Sequence, residues 1–456
     1  MTRDAAIAIL NLEREQAIAT ILALAAKAEK YDQLCAQAGP TTPSSMVPVY
    51  LKPKAKRRKK KPGRPAGHPG AARPRPEKVD HTQEHTLSHC PVCQGPLRQS
   101  IRSHRRYIED LPPLQPEVTE HIVHGYWCPR CHKIVSPTVT AALPNSNLGL
   151  NLVVVTAWLH YLVGVSVNNL VKMLDVFSQL KISPGGLTQA WHNLAHLLLP
   201  LYQELCQKVA HSAVLAADET GWRLNGITHW LWCFTTTTLC YYIITPGRGS
   251  PVVESVLGTM FQGILLCDFW GAYNKISALA KQRCFYHLFA ELVKVDKANQ
   301  SEAWQAFRKK LSRLLKDAIR LADKRSQLAP DRYQRLQDRL HHRLGGLLLA
   351  DYQDKDAHRL IKRLQRHKDE LFTFLAFPGV SPYNNHAERQ MRKPVLVRKV
   401  SQQNRSENGL KTQAIFMSLF RSAELQGQNP VDQVRAAAQK VLAKEDYVAD
   451  YFKKAA

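Results

Sequence analysis

The residues with the clearest chemical potential are three acids, Asp218, Asp268 and Glu388. Asp218 ends the apolar run of residues 212–218, Asp268 ends the apolar run of residues 263–268, and Glu388 lies near the start of a predicted helix. Carboxylates from two neighbouring strand ends and a helix can meet at one edge of a sheet, where they repel one another unless cations lie among them. Such clusters hold two Mg²⁺ ions about 4 Å apart and catalyse phosphoryl transfer.

Each acid also has a plainer interpretation. Asp218 and Asp268 both begin a turn-like tetrapeptide, Asp-Glu-Thr-Gly and Asp-Phe-Trp-Gly. Glu388 follows Asn385 by three residues, which is the spacing of a capping box at a helix N-terminus. Taken singly, each alternative is as plausible as catalysis, but the strand context and the order of the three acids favour the catalytic interpretation.

The segments around the acids follow an order that would position them. Residues 229–236 and 239–245 are rich in β-formers and predict a hairpin between the first two acids. Residues 250–260 predict a helix, and residues 283–288 predict a third short strand. Strand with acid, hairpin, strand with acid and helix with acid is the order of an RNase H-like core. The predicted fold class is therefore α+β multidomain, with an RNase H-like α/β catalytic core, helical segments and an N-terminal zinc ribbon.

Two Cys-x-x-Cys motifs predict a zinc site separate from the acids. Cys90 and Cys93 form the first motif, and Cys128 and Cys131 form the second, with 34 residues between them. Tetrahedral zinc needs four converging thiolates, and each motif presents two from one tight turn. Residues 117–126 alternate like strands, as in a zinc ribbon, so we expect a structural Zn²⁺ that orders a DNA-contacting module. Disulfides or coincidence are the alternatives, and a reducing compartment disfavours disulfides.

The charge balance indicates a polyanionic partner, with nucleic acid the leading candidate. Lys and Arg outnumber Asp and Glu by 63 to 37, which gives a net charge of +26. The excess is concentrated in residues 52–64, a linker with nine basic residues and no acid, and in residues 301–370, whereas residues 201–300 are nearly neutral. A solvated basic tether is the alternative to DNA binding by the linker. The linker residues expected to contact DNA are Lys56, Arg57, Arg58, Lys59, Lys60, Lys61 and Arg64.

No segment predicts a membrane span or a secretion signal. The longest apolar stretch, residues 152–163, has 12 residues, whereas a span needs about 20. Residues 1–11 lack a signal-peptide core, so we expect a cytoplasmic protein without membrane partners.

The sequence also indicates how the chain is organised. We expect an amphipathic helix at residues 1–38, a basic linker at 39–79, a zinc module at 80–145 and a helix-turn-helix-like region at 146–210. The core is expected in two parts, residues 211–295 and 376–456, with an insertion at residues 296–375 between them.

Several longer segments form a recognisable set. Asp-Glu-Thr-Gly-Trp at 218–222, Cys-Asp-Phe-Trp-Gly-Ala-Tyr at 267–273 and Asn-Asn-His-Ala-Glu-Arg at 384–389 are its main members. Residues 397–399, 406–409 and 423–430, the two Cys-Pro-x-Cys motifs and Gly-His-Pro-Gly at 67–70 also belong to it. On these residues, from the linker to the C-terminus, the chain resembles the bacterial insertion-sequence transposases of the insertion sequence 66 family.

The resemblance implies an RNase H-like DDE transposase that binds the ends of an insertion sequence. It implies Asp218, Asp268 and Glu388 as the triad that holds two Mg²⁺ ions, with Mn²⁺ as an alternative. The implied reaction is 3′-end hydrolysis followed by strand transfer into double-stranded target DNA. Glu388 lies 120 residues beyond Asp268, which implies a helical insertion. Because two element ends must be brought together, a homo-oligomer on DNA is expected, with accessory element-encoded proteins as further candidate partners.

The resemblance also implies supporting residues around the triad. Cys284 and His287 resemble a Cys-x-x-His element, for which a positional role is expected. The pairs Phe-Trp at 269–270 and Phe-Tyr at 285–286 are bulkier than usual in the family, which leaves the details of the substrate groove open. An exposed helix face is the alternative for the basic residues near Glu388. The residues expected to support the acid or to hold the DNA strand there are Asn385, Arg389, Arg392 and Lys393.

Two other functions are compatible with the same residues. A nuclease or Holliday-junction resolvase of the same fold would share the triad but would lack a module for terminal repeats. A catalytically idle, zinc-dependent DNA-binding regulator would keep the DNA contacts, and the presence of all three acids argues against it.

Overall fold

The computed structural model describes residues 14–37, 75–98, 100–111, 114–401 and 403–452. The chain divides into two units, residues 1–110 and 111–456. The linker residues predicted to contact DNA lie outside the described residues; they are Lys56, Arg57, Arg58, Lys59, Lys60, Lys61 and Arg64.

The described residues of the first unit include a long helix and a tight turn. Helix α1 comprises Arg14–Gln37, and Leu22 is among its exposed apolar side chains. The turn is closed by an antiparallel bridge between His89 and Pro96, so that Cys90 and Cys93 lie within it.

The second unit begins with a short antiparallel hairpin. Strand β1 comprises Tyr126–Cys128, and strand β2 comprises Lys133–Val135. The strand prediction for residues 117–126 is wrong except at Tyr126, because residues 117–125 belong to no strand. An alternating sequence forms a strand only where a neighbouring strand completes its hydrogen bonds.

In the described part of the second unit, four helices precede the main sheet. Ser166 and Ser183 explain two of the helix starts, because each hydroxyl accepts a backbone N–H of the first turn, as N-cap serines do. The helices are α2, α3, α4 and α5, comprising Leu150–Trp158, Val167–Ser178, Pro184–Leu197 and Leu199–Ala210, and a π-helical turn, Leu159–Val163, follows α2.

A five-stranded mixed sheet forms the centre of the second unit. Strands β3 to β7 comprise Val214–Leu224, Ile227–Thr235, Cys240–Thr245, Met260–Cys267 and Ser277–Arg283, and helix α6, Ser250–Leu257, connects β5 to β6. Their spatial order in the sheet is β5-β4-β3-β6-β7. β3, β4 and β5 pair antiparallel, whereas β6 and β7 continue the sheet parallel to β3.

Strand β3 is longer than predicted, so Asp218 lies within it instead of at its end. The turn to β4 is made by Asn225 and Gly226, whose φ angles are 47° and 81°. Two successive residues with positive φ form the mirror-image turn that matches the twist of paired strands. The Asp-Glu-Thr-Gly turn considered for Asp218 is therefore wrong, whereas the predicted hairpin corresponds to β4 and β5.

The predicted third strand over residues 283–288 is also wrong. β7 ends at Arg283, and helix α7 comprises Phe285–Val295. Phe285, Leu288 and Leu292 are buried. Their spacing of three and four residues is that of one face of a helix, and helices pack against this face.

Two hydrophobic cores lie on opposite faces of the sheet, because successive side chains of a strand point in opposite directions. Helices α8 to α15 comprise Glu302–Asp323, Pro330–Leu349, Lys355–Arg366, Thr373–Ala376, Asn385–Ser401, Glu407–Leu425, Pro430–Ala443 and Val448–Tyr451. Ala216 and Leu266 contribute to the core shared with α7–α11, and Leu215 and Leu265 contribute to the other core. In the described ranges, no helix is both long and apolar enough to cross a lipid bilayer.

The alignment of β3 with β6 depends on Gly263. A Cβ atom there would lie within 3.0 Å of the carbonyl oxygens of Ser212 and Ala213, a distance that real Cβ atoms essentially never show. The next residue, Ile264, donates its N–H to the Ala213 carbonyl at 2.8 Å. The missing side chain therefore lets β6 approach the start of β3.

Helix α12 is held to the sheet through a carbonyl that a proline leaves without its helical donor. Pro394 lies inside α12 and has no N–H for the carbonyl of Gln390, four residues earlier. The hydroxyl of Tyr242, on β5, donates to that carbonyl at 2.8 Å. This bond replaces the missing helical one and fixes α12 against the sheet.

Candidate active site

Asp218, on β3, and Asp268, directly after β6, lie close together. β3 and β6 pair with Ala216 opposite Leu266; the same register continued by two residues sets Asp268 opposite Asp218, and the charge of Asp268 acts on Asp218. Alternation along the strands directs both acids to the sheet face that carries Ala216 and Leu266. Asp268 follows the last residue of β6, as the sequence predicts.

The environment of Asp218 disfavours its ionised form. Burial, then the negative charges of Glu219 and Asp268, raises the pKa of Asp218 to about 7, although the N–H of Glu219 donates to Asp218 Oδ1 at 2.9 Å. A buried carboxyl beside other acids is expected to ionise readily only when a cation compensates its charge. This is the electrostatic condition of a divalent metal site.

The third acid, Glu388, enters from α12 through contacts made by Asn384. Asn384 is buried; its side-chain Nδ2 donates to the Ala217 carbonyl at 2.7 Å, and its backbone N–H donates to Cys284 Sγ at 3.2 Å. Ala217 immediately precedes Asp218 on β3. Asn384 therefore positions the start of α12, and with it Glu388, against the strand that carries the first acid.

The structure does not contain the capping box considered for Glu388. α12 begins at Asn385, which is exposed, and Glu388 Oε1 is buried without a hydrogen-bond partner among the described residues. In a capping box this carboxylate would accept a backbone N–H. The side chain of Glu388 is therefore free to serve as a ligand.

His287 lies among the three acids. Its Nδ1 is 3.9 Å from Glu388 Oε1, and its charge interacts with those of Asp218, Asp268 and Glu388. The neighbouring Cys284 raises the pKa of His287 to about 9, against the effect of burial and with further support from Asp268 and Glu388. The imidazole is therefore cationic at neutral pH and offsets part of the negative charge of this cluster.

Arg283 fixes the backbone at Asp268, a role that no local sequence pattern indicates. Its side chain is fully buried. The guanidinium donates to the carbonyl of Asp268 at 2.7 Å, to Asn274 Oδ1 at 2.9 Å and to Glu370 Oε2 at 2.5 Å. Burial opposes ionisation of Glu370, but His367 and Arg283 outweigh it and lower the pKa of Glu370 to about 2.

Phe269 and Trp270, the two bulky residues after Asp268, each pack against an arginine side chain. The Arg363 guanidinium of α10 lies 4.7 Å from the centre of the Phe269 ring. The Arg248 guanidinium lies 4.0 Å from the centre of the Trp270 ring, and Trp270 Nε1 donates to the Arg248 carbonyl at 3.1 Å. The backbone N–H of Trp270 also donates to Asp268 Oδ1 at 2.8 Å, so these side chains support the acid.

Glu219 is a functional candidate that the sequence reasoning missed. Its side chain is almost fully buried, pairs with Arg248 at 2.9 Å and accepts the Tyr273 hydroxyl at 2.8 Å. Strand alternation places it on the opposite face from Asp218, so a correct strand assignment through residue 224 would have separated the two acids. Glu219 supports β3 beneath the cluster and is not one of its ligands.

Residues 145–412, which are more than half of the chain, match the family model described as transposase IS66 family. The chain belongs to the IS66 transposase family. A second model, described as the zinc-finger binding domain of transposase IS66, matches residues 88–132 of this transposase. A search of curated proteins found no match. Family and zinc finger together identify DNA as the partner on which this transposase acts.

The two Cys-Pro-x-Cys turns of the transposase share one local geometry. The residue after the second cysteine has a positive φ in each turn, 61° at Gln94 and 48° at His132. In each turn, the backbone N–H groups of the second cysteine and of the residue before it lower the pKa of the first thiol, Cys90 or Cys128. Amide donors that favour the thiolate suit a cysteine that binds a metal. The four-cysteine donor set fits zinc.

The basic residues predicted beside Glu388 lie on the surface of α12. Arg389 and Arg392 are exposed, and Lys393 is half-buried. Arg389 Nε donates to the carbonyl of Asn385 at 3.3 Å. The helix that carries the third acid therefore also presents positive charge to the solvent.

Proposed function

We propose that this transposase binds the ends of its insertion sequence and catalyses Mg²⁺-dependent 3′-end hydrolysis and strand transfer into target DNA. The observation that carries the proposal is the placement of Asp218 and Asp268 side by side, with Glu388 coupled to both through His287. The sheet order, with three antiparallel strands followed by two parallel ones, supports an RNase H-like core for this reaction.

The proposed roles follow from the chemistry of the side chains. Asp218, Asp268 and Glu388 offer the carboxylate oxygens that Mg²⁺ prefers, and Mn²⁺ accepts the same ligands. When bound, two such ions supply the positive charge that activates the attacking oxygen and stabilises the leaving oxygen. His287 neutralises part of the acidic charge before a metal binds, and Arg283 holds the Asp268 backbone in place.

The proposed reaction consists of two phosphoryl transfers without a covalent enzyme intermediate. Water attacks the scissile phosphate at the element end and releases a 3′-OH, and this 3′-OH then attacks a phosphate of the target DNA in line. Arg389, Arg392 and Lys393 would hold the DNA strand beside the acids through its phosphates.

The proposed organisation assigns these tasks to different parts of the chain. Residues 80–145 form the zinc module, residues 211–295 and 376–456 form the catalytic core, and residues 296–375 form an insertion. Because two element ends react together, a homo-oligomer on DNA is proposed, with accessory element-encoded proteins as further partners and the bacterial nucleoid as the place of action.

The direct test incubates the full-length protein with labelled element-end DNA and Mg²⁺. We expect metal-dependent 3′ nicking, and we expect Asp268→Asn to lower its rate about 1,000-fold because a metal ligand supports several kcal/mol of transition-state stabilisation. DNA binding, measured by fluorescence anisotropy, should persist in the variant.

Asp331→Asn is the matched control, since Asp331 is an exposed acid at the start of α9. Its nicking rate should equal that of the wild type. Equal nicking rates of Asp268→Asn and the wild type would overturn the proposed role of Asp268. If the wild type and Asp268→Asn both bind the DNA but neither nicks it, the result favours a catalytically idle DNA-binding regulator.

We also propose that Cys90, Cys93, Cys128 and Cys131 hold the structural Zn²⁺ of the zinc-finger domain. Replacing Cys93 by Ser should remove one equivalent of zinc, measured by elemental analysis. It should weaken binding to element ends about tenfold or more, because metal binding supplies the folding free energy of such small modules. Cys206→Ser, at a half-buried cysteine of α5, is the control. Unchanged zinc content in Cys93→Ser would contradict this assignment.

A further inference from the structure

Three side chains, one from the acidic cluster and two beside it, form a compact set of different ligand types. The ligand atoms of Cys284, His287 and Glu388 all lie within 4.8 Å of one another. Among the described residues this is the group of three that has the spacing of a metal site, whereas Asp218 and Asp268 are not part of it. We propose that this trio binds a single thiophilic divalent cation of the zinc class, at a site distinct from the zinc finger.

The donor set selects the class of metal. A thiolate, an imidazole and a carboxylate are the three ligand types that zinc takes in proteins, whereas Mg²⁺ prefers oxygen ligands alone. Ligand atoms around a tetrahedral zinc ion are about 3.5 Å apart, as follows from its bond lengths. The 3.9 Å between His287 Nδ1 and Glu388 Oε1 therefore requires only a small movement of either side chain.

Unpartnered atoms point to a ligand between these side chains. His287 Nδ1 and Glu388 Oε1 are both buried, and neither has a hydrogen-bond partner in the described part of the chain. Buried polar atoms nearly always have a partner in folded proteins. One cation between the two atoms would serve both.

The sulfur ligand is prepared in the same way. Cys284 is buried at the start of α7, and the backbone N–H of Asn384 donates to its Sγ at 3.2 Å. Such a donor orients a thiolate ligand and stabilises its charge. Because Asn384 also bonds to the Ala217 carbonyl, β3 and α12 hold the site together with α7.

The trio shares Glu388 with the proposed Mg²⁺ site, and only this sharing rests on the proposed function. Occupation by a zinc-class ion would draw the Glu388 carboxylate toward Cys284 and His287. The binding of that ion can be tested without measuring DNA cleavage.

The test uses Co²⁺ as a spectroscopic substitute for zinc in the full-length chain. In a Cys90→Ser, Cys93→Ser, Cys128→Ser, Cys131→Ser background, Co²⁺ added to metal-free protein should produce a sulfur-to-cobalt charge-transfer band that titrates to one equivalent. Cys284→Ser should abolish the band, and His287→Gln should weaken Co²⁺ binding at least tenfold. Asp268→Asn is the control and should keep the band, since Asp268 belongs to the acidic cluster but not to the trio.

Absence of the band in the background protein, or its persistence in Cys284→Ser, would overturn the proposal. The His287 side chain is 39% exposed, so His287→Gln should fold like the background protein, which circular dichroism of the metal-free proteins checks. The band reports sulfur ligation alone. A protein that shows the band but does not cleave DNA would refute the proposed function and support this metal site. A protein that cleaves DNA but does not show the band would support the proposed function and refute this metal site.

Discussion

Replacing Asp218 by Asn is expected to stabilise the metal-free protein while it abolishes DNA cleavage. Burial and the charges of Glu219 and Asp268 raise the pKa of Asp218 to about 7, whereas an aspartate in an unfolded chain has a pKa near 3.9. At pH 8 the ionised carboxylate therefore opposes folding, and its removal should raise the free energy of unfolding by about 2–4 kcal/mol. Cleavage is lost because the amide cannot replace a charged metal ligand.

The stability difference between the wild type and Asp218→Asn is expected to depend on pH. Because the folded protein holds the proton more tightly than the unfolded chain, the penalty is absent below about pH 4, grows between pH 4 and 7, and stays constant above pH 7. Urea unfolding of wild type and Asp218→Asn should thus give curves that diverge as the pH rises. Saturating Mg²⁺ should narrow the difference, since it stabilises only the protein that binds it.

Glu291, on α7, provides a control of opposite sign. Burial opposes its ionisation, but Arg359 and Arg363 outweigh burial and lower the pKa of Glu291, so Glu291→Gln should lower the free energy of unfolding at pH 8. A destabilised Asp218→Asn protein would show that Asp218 is a structural partner and not a strained ligand. Full cleavage activity in that variant would remove Asp218 from the proposed triad.

Replacing Arg283 by Leu is expected to cost about 3 kcal/mol of stability and most of the cleavage activity. The guanidinium is fully buried, and breaking a buried ion pair from one side leaves the other charge without its partner. Here that charge is Glu370, which also contacts Lys281 at 3.6 Å and His367 at 2.9 Å. Activity should fall because the carbonyl of Asp268 loses its donor.

Acid denaturation measures the same interaction independently. The pKa of Glu370 is about 2, below the value near 4.3 of an unfolded chain, so its contribution to stability is present above pH 4.3 and is lost as the pH falls toward 2. Arg283→Leu should shrink this acid-dependent loss, and Arg283→Lys should restore part of the stability but not the three-way contact. An Arg283→Leu protein with wild-type stability at pH 7 would contradict this account.

The order of the three acids along the chain can be predicted from the sequence, but the contacts that position them cannot. Apolar runs that end in Asp218 and Asp268 were visible because burial and alternation leave a local pattern. The sequence also indicates the extension of β3 to Leu224, because Asn225-Gly226 directly after it is a strong turn signal. Helix α7 differs from the strand predicted for residues 283–288 because a short apolar run has no unambiguous period.

Other parts of the site leave no local pattern at all. Arg283 and Glu370 are 87 residues apart, and either could have been a surface charge. The same holds for Asn384, whose partners on β3 and α7 become neighbours only in the folded chain. Pairing across such distances depends on tertiary packing, and a single sequence does not record it.

The close approach at Gly263 has a genetic consequence. Every missense change of a glycine codon adds at least a Cβ atom, and at this position that atom would collide with the carbonyl oxygens of Ser212 and Ala213. β6 would have to slide or separate from β3, and the two acids would part although both codons remained intact. Copies of the gene that have drifted out of use can therefore keep all three acids and still encode a broken site, so an inventory of acidic codons overestimates the number of working genes.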